Sequence, residues 1–250
     1  MTTLTARQRV LAVGLIMSVT LVAFEVTAIL TVLPTIADEL HGDSLFGVSM
    51  AVYTLANMVS LVAAGELADR YGPARPFGLA VVTFVVGLVV AAWAPSMVWV
   101  VIGRLLQGAG TGSFNPISYS LVRRAFPSDR QPMMYTFLSA GWVVPSLVAP
   151  LVAGWITDAF GWRWTFLAII PVAIVVGGLA IRPMAEYRPV DKPRARSRVP
   201  LAVGAASGVG LFVTGIRFST LAVALPLALG GLALRSEEHT SELQSRLHLV

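Results

Sequence analysis

The chain has no cysteine among its 250 residues. Disulfides and thiolate-ligated metals are therefore excluded, and the redox compartment leaves no mark. Charge is scarce as well: Asp, Glu, Lys and Arg make up 12% of the sequence, about half the roughly 25% of an ordinary soluble domain. That scarcity excludes a solvated globular surface. The net charge of +5 could suit nucleic acid, but the basic residues fall between apolar runs and form no patch or stripe, so nucleic acid is not expected as a partner. No catalytic or metal-binding set stands out, and neither an enzyme, a metal nor an organic cofactor is expected.

What fills the chain is hydrocarbon. Hydrophobic residues reach 56%, and the apolar runs repeatedly attain the length of about 20 residues that crosses a bilayer. They occupy residues 10–33, 45–67, 77–93, 97–122, 132–156 and 164–181. Two shorter runs follow, 201–213 and 220–234, split by Arg217. The first run is too long for a signal-peptide core and no small-residue cleavage pattern follows it, so it is read as a retained helix. Lipid cannot satisfy an open backbone, and the runs are unbroken instead of alternating, so they are predicted helices. Residues 37–44 form an acidic loop before the second helix. Trp93, Trp99, Trp162 and Trp164 sit at run ends, as interface anchors do. This gives an all-α membrane protein: a six-helix bundle over 1–181, a basic linker over 182–200 and the start of a helix pair over 201–234.

Loop charge sets the orientation. Arg7 and Arg9, Arg70 and Arg75, Arg123, Arg124 and Arg130, and the cluster Arg182, Arg188, Lys192, Arg194, Arg196 and Arg198 fall on one side; Arg163 alone falls on the other. The excess of Lys and Arg in cytoplasmic loops then places the amino terminus in the cytoplasm.

The organising stretch is 65–75, G-E-L-A-D-R-Y-G-P-A-R. Asp69, Arg70 and Arg75 keep it out of hydrocarbon, and Gly65 and Gly72 are expected to allow a tight reversal between helices 2 and 3. Its pattern returns 89 residues later: Gly65, Asp69 and Gly72 become Gly154, Asp158 and Gly161, followed by Arg163. Helices 1–3 and 4–6 therefore read as two copies of a three-helix unit. Three is odd, so the copies are inverted across the membrane, with Asp158, Gly161 and Arg163 in the equivalent turn on the opposite face.

Two ionisable residues lie inside apolar runs, Glu25 in helix 1 and Arg104 in helix 4. A charge at mid-membrane costs about 2.5–3.5 kcal/mol on insertion scales, so such residues face a cavity or a partner. Counting from Pro34, Glu25 lies about 13 Å deep, and Arg104 lies about 10 Å from the start of helix 4; they can share a level. An Arg neighbour favours the charged carboxylate and apolar surroundings favour the protonated one. Glu25 is accordingly the candidate site for a coupling proton, with Arg104 tuning it; the alternative is a static pair that locks helix 1 to helix 4. Gln107, Asn57 and Asn115 are further intramembrane hydrogen-bonding groups. Gly108, Gly110 and Gly112 bare the backbone of helix 4, for close approach by substrate or by a neighbouring helix. In helix 5, Pro145, Ala149, Pro150, Ala153 and Gly154 form a small-residue, proline-bent segment; the alternative there is a kinked packing helix.

These motifs also carry a resemblance. G-x-L-A-D-R-x-G followed by a basic residue resembles the loop signature between helices 2 and 3 of the major facilitator superfamily, and R-L-L-Q-G-A-G at 104–110 resembles its helix 4 signature. The helix 5 segment is similar to the antiporter signature G-P-x-x-G-G, with Ala149 and Ala153 where glycines are usual. Pro73 and Ala74 stand where members usually have basic residues. Residues 24–40 and W-R-W-T-F at 162–166 resemble the drug:proton antiporter branch with fourteen helices. The resemblance implies a secondary transporter in the bacterial plasma membrane. It would export amphipathic small molecules by alternating access, with the proton as coupling ion. The turn at Asp69, Arg70 and Arg75 is read as a cytoplasmic gate, the alternative being a topology-setting loop whose charges stay wet. Uptake of a metabolite, or a receptor or scaffold without transport, are the other readings. Residues 235–250 begin with a polar, acidic stretch, 235–245, that is unlike the rest and resembles the translation of a sequencing adapter. Residues 235–250 are expected to be non-native, with a carboxy-terminal bundle missing as a partner alongside the lipid bilayer.

Overall fold

The computed structural model describes residues 4–187, 189, 197 and 199–217. All regular structure among them is helical: α1 (Ala6–Glu39), α2 (Asp43–Tyr71), α3 (Ala74–Ala92), α4 (Met97–Thr111), α5 (Phe114–Ala125), α6 (Gln131–Phe160), α7 (Arg163–Met184) and α8 (Val199–Arg217). Of these, α1, α2, α3, α6 and α7 are each long and apolar enough to cross a membrane.

The first helix is longer than its apolar run. Its start is fixed by a capping box, in which Gln8 N donates to Thr5 Oγ1 at 3.2 Å and Thr5 N donates to Gln8 Oε1 at 3.0 Å. This satisfies two backbone donors that a bare helix end would leave free. Pro34 does not end the helix, because Ile36 and Ala37 pack into the core one turn later. The expected acidic loop 37–44 is therefore corrected to a short turn at 40–42 between α1 and α2.

The expected fourth helix, 97–122, is also corrected. It is two helices, α4 and α5, broken at Gly112 and Ser113. Pro116 supplies the cause: it has no N–H for the Gly112 carbonyl, and its ring crowds that carbonyl. The chain tightens there, with Ser113 N donating to Gly110 O at 3.2 Å. The two pieces together make the fourth span.

Six spans result, and their ends alternate between two faces. On one face Arg7 pairs with Glu186, Gln8 Nε2 donates to Ala125 O at 2.7 Å, and Gly72 lies against Tyr187 O. On the other, Arg163 donates to Glu39 Oε1 at 3.0 Å and to Ala94 O at 3.3 Å. The repeat is exact in register at its turns: α2 ends at Tyr71 and α6 at Phe160, α3 begins at Ala74 and α7 at Arg163, each 89 residues apart. Gly72 (φ 81°, ψ 161°) and Gly161 (φ 90°, ψ 156°) share one backbone conformation, in a region that is essentially glycine's alone. These turns lie on opposite faces, as an inverted repeat requires. Gly65 takes no part in the reversal: it lies inside α2, six residues before its end, and the turn is made by Gly72 and Pro73.

Packing follows small residues. α1 packs against α6 and α7, α3 against α4 and α7, and α2 against α4. Gly14 meets Ala180, Gly141 meets Thr20 and Ile16, and Gly177 meets Val81. Close contact of this kind replaces the hydrophobic effect as the force between helices in lipid. Phe77, Phe84 and Phe114 are buried together, with Phe77 and Phe114 ring centres 5.0 Å apart and Phe84 and Phe114 6.1 Å apart. α8 belongs to a separate unit that begins after Ser197 and contains the first of the two short apolar runs. The second, 220–234, the basic residues of the linker other than Arg182, and the tail 235–250 lie outside the described residues.

Candidate functional site

The site is built on α4. Arg104, Gln107 and Thr111 recur at the three-to-four-residue spacing that puts side chains on one helical face. α1 and α2 bring Glu25 and Tyr53 to that face. Glu25 is 0% exposed and Arg104 4%, and Arg104 Nη1 donates to Glu25 Oε1. The sequence-predicted pair is thus brought together, far from either end of α1. With α1 running to Glu39, Glu25 lies 14 residues from that end, about 21 Å along the helix, deeper than counting from Pro34 implies.

Other groups complete the shell. Arg104 Nη1 also donates to Gln107 Oε1 at 2.7 Å, and Gln107 Nε2 donates to the Gly87 carbonyl of α3 at 3.2 Å. The guanidinium lies 3.8 Å from the centre of the Tyr53 ring, a cation–π contact worth about 2 kcal/mol or more when desolvated. The Tyr53 hydroxyl donates to Glu25 Oε2 at 3.1 Å and stands 3.0 Å from Thr111 Oγ1. Asn57 Nδ2 donates to Thr111 Oγ1 at 3.1 Å. One turn on, Ser60 Oγ reaches Ser113 Oγ at 2.9 Å and donates to the Ala109 carbonyl. The result is a polar ladder between α2 and α4, with the ion pair at one end.

The helix 4 glycines are what permit the ladder, and they divide by face. A Cβ on Gly108 would stand 2.2 Å from Tyr53 O, and one on Gly112 would stand 2.3 Å from Asn57 O. Gly103 and Gly110 meet α3 instead, at Ala91 and at Ala80 O and Phe84. The bared backbone is therefore taken up by neighbouring helices.

The remaining sequence-predicted residues lie elsewhere. Asn115 is not in the ladder; its buried Oδ1 has no hydrogen-bond partner among the described residues. In α6, Pro145, Ala149 and Ala153 are buried on the stripe that begins at Gly141, Pro150 is half-buried, and nothing lies within 4 Å of a Cβ on Gly154. The buried stripe is packing surface. At the gate turn, Arg70 lies over the Tyr71 ring at 5.2 Å, Arg75 is exposed and Asp69 half-buried. Nearby, the Ser197 hydroxyl donates to Glu66 Oε2 at 2.7 Å. In the equivalent turn Asp158 is exposed, and Arg163 stacks on Trp162 at 4.1 Å while it links Glu39 to Ala94.

Tyr53, Thr111, Ser60 and Ser113 are missing from the sequence reading. The signal was present: Ser49, Tyr53, Asn57 and Ser60 form a polar stripe at helical spacing in an otherwise apolar run. An apolar weighting of tyrosine hides it.

Comparison with known proteins bears on this architecture. The family model described as Major Facilitator Superfamily matches residues 15–241. The chain belongs to the major facilitator superfamily. An MFS-type transporter of Mycobacterium tuberculosis is 33% identical over 75% of this chain and 27% of its own length. Multidrug resistance protein 3 of Bacillus subtilis is 29% identical over 69% of the chain and 34% of its own length. The multidrug export protein EmrB of Haemophilus influenzae is 30% identical, over 64% and 33%. The matched part of this chain thus spans about a quarter to a third of the length of these relatives. Among solved structures, the POT family transporter PepTSo superposes with a TM-score of 0.68 at 16% identity, over 92% of this chain and 52% of its own. A peptide transporter POT gives 0.64 at 17% identity, over 84% and 46%. These share the fold. The chain is an integral membrane protein with the fold of this superfamily.

Proposed function

We propose that this superfamily member is the amino-terminal bundle of a proton-coupled exporter of amphipathic small molecules. The buried pair Glu25–Arg104 carries the reading, because a full carboxylate and guanidinium inside a membrane bundle mark an ion or substrate path by default. The shell around them suits a proton that comes and goes. When Glu25 is ionised, Arg104 compensates it. When Glu25 takes up a proton, Arg104 keeps the Gln107 oxygen and the Tyr53 ring face, so its charge is not stranded. Uptake and release then change the electrostatic balance between α1 and α4, and proton and substrate exclude each other through that balance. Alternating access would follow from rocking of this bundle against a carboxy-terminal one, as inverted-repeat transporters do.

Export, and drugs as the substrate class, draw support from the names of the Bacillus and Haemophilus relatives. The bacterial origin of these relatives and the loop charges favour a plasma-membrane location with a cytoplasmic amino terminus. The turn at Asp69, Arg70 and Arg75 would be the cytoplasmic gate. Residues 182–200 would be the linker, 201–234 a central helix pair, and 235–250 no part of the native protein.

The test is proton flux in vesicles containing the full-length transporter, with amphipathic cations presented under an imposed pH gradient. Substrate-dependent proton movement that disappears in Glu25→Gln is the expected result. Uphill transport by Glu25→Gln at the unaltered rate would end the proton role. Substrate entry in the same direction as the proton would replace export by uptake, and no proton movement with any ligand would leave a receptor or scaffold.

A further inference from the structure

Glu25 presents its two oxygens to different helices. Oε1 takes the guanidinium of α4, and Oε2 takes the Tyr53 hydroxyl of α2. That hydroxyl is also within 3.0 Å of Thr111 Oγ1, which is within 2.9 Å of the Gln107 carbonyl. A phenol has one hydrogen, so it cannot donate to Glu25 and to Thr111 together. The row Glu25–Tyr53–Thr111 therefore has two hydrogen-bond orders, and the charge on Glu25 selects between them.

We propose that Tyr53 is a positioning residue that reports the protonation of Glu25 to α2 by reversing this row; the proposal rests on reading Glu25 as the proton site. With the carboxylate ionised, Thr111 donates to Tyr53 Oη and Tyr53 donates to Glu25 Oε2. When Glu25 gains a proton, its new O–H donates to Tyr53 Oη. Tyr53 then turns its hydrogen onto Thr111 Oγ1, and Thr111 turns its own onto the Gln107 carbonyl. Each hydroxyl keeps its hydrogen, and the single proton gained resides on Glu25. Asn57 Nδ2 donates to Thr111 in both orders, so Thr111 stays anchored to α2 throughout.

The reversal has a mechanical content. A hydrogen bond to an ionised group is roughly twice as strong as a neutral one, so protonation weakens the hold of α2 on α1. At the same step Tyr53 becomes a donor to α4. α2 is the helix that ends in the turn at Gly72, and the Asn57–Thr111 and Ser60–Ser113 contacts follow Tyr53 along it toward that end. Arg104 of α4 and Tyr53 of α2 are the charged and titratable groups that contact Glu25. Among the described residues, the ionisable groups of α3, α5, α6 and α7 form neither an ion pair nor a hydrogen bond with it.

Infrared difference spectroscopy on the full chain in lipid bilayers, titrated with pH, tests this directly. The protonated-carboxyl band is assigned by its loss in Glu25→Gln, and the Tyr53 phenol band by its loss in Tyr53→Phe. The phenol band is expected to shift in step with the carboxyl band and to stay fixed in Glu25→Gln. Thr111→Val should abolish the shifted position, and Thr111→Ser should restore it. A carboxyl band that titrates while the phenol band stays still overturns the proposal, as does a phenol shift that survives in Glu25→Gln. A carboxyl that never titrates overturns both this and the proton reading. Coupled bands without proton-driven transport in vesicles would sink the transport reading alone.

Discussion

Gly108→Ala is the most demanding perturbation of the ladder, because it adds one methyl group and alters no polar atom. The new Cβ would stand 2.2 Å from the Tyr53 carbonyl oxygen and 2.9 Å from its carbonyl carbon. Both are backbone atoms on a long helix, so no side-chain rotation relieves the clash. Restoring an ordinary contact of 3.4 Å requires α2 and α4 to part by about 1.2 Å at this level. Overpacking of this kind costs about 1–3 kcal/mol. A 3.0 Å bond between Tyr53 and Thr111 stretched by as much as 1 Å is no longer a hydrogen bond. The variant should therefore unfold at lower temperature in detergent and lose the coupled phenol signal. Gly65→Ala is the matched control: it lies in α2 with nothing within 4 Å of its Cβ, and should be neutral or slightly stabilising by helix propensity. If Gly108→Ala melts with the unaltered protein, or if Gly65→Ala is equally harmful, backbone contact between α2 and α4 is not what holds the site.

Other outcomes follow from the same geometry. Arg104→Leu strands a buried carboxylate and should cost about 3–5 kcal/mol; adding Glu25→Gln should recover much of it, read as folded yield after size exclusion. Gly72→Ala and Gly161→Ala should each cost about 1–3 kcal/mol for backbone conformation, measured by thermal denaturation. Gly72→Ala should cost more, because its Cβ also meets Tyr187 O at 3.0 Å. Arg163→Gln, at the half-exposed pair with Glu39, should shift stability by less than about 1 kcal/mol. Partial burial, followed by Glu186, raises the Tyr187 phenol above its ordinary value, and Arg124 partly offsets them. Its neutral form thus favours the docked segment after α7, and that contribution is complete below the unfolded value and fades as alkali ionises the phenol. Ultraviolet difference titration of Tyr187→Phe against the unaltered chain reads it.

Much of this was legible in residue order, for physical reasons. A bilayer demands long apolar spans, so six crossings could be placed before any contact was known. The 89-residue repeat predicted equal turns, and Gly72 and Gly161 share one conformation because only glycine is at ease there. Glu25 and Arg104 could be paired because a lone charge in lipid is costly. What stayed hidden depended on neighbours. The break at Gly112 and Ser113 hung on one proline inside an apolar run. The continuation of α1 past Pro34 depended on burial of Ile36 and Ala37. Tyr53 looked like one more aromatic until α4 presented Thr111 and Arg104 to it. Gly65 carries the same residue type as the turn glycine, yet it sits inside α2 with open space beside it.

The fourth span is pinched on two sides, by α3 at Gly103 and Gly110 and by α2 at Gly108 and Gly112. Spinning it about its own axis would push Leu105 or Leu106 toward main-chain atoms that leave room for a hydrogen and nothing larger. Its freedom is thereby reduced to flexing at the one place where its ladder of amide bonds is already interrupted. A change of charge at the guanidinium would then reach the rest of the span as a tilt about that joint.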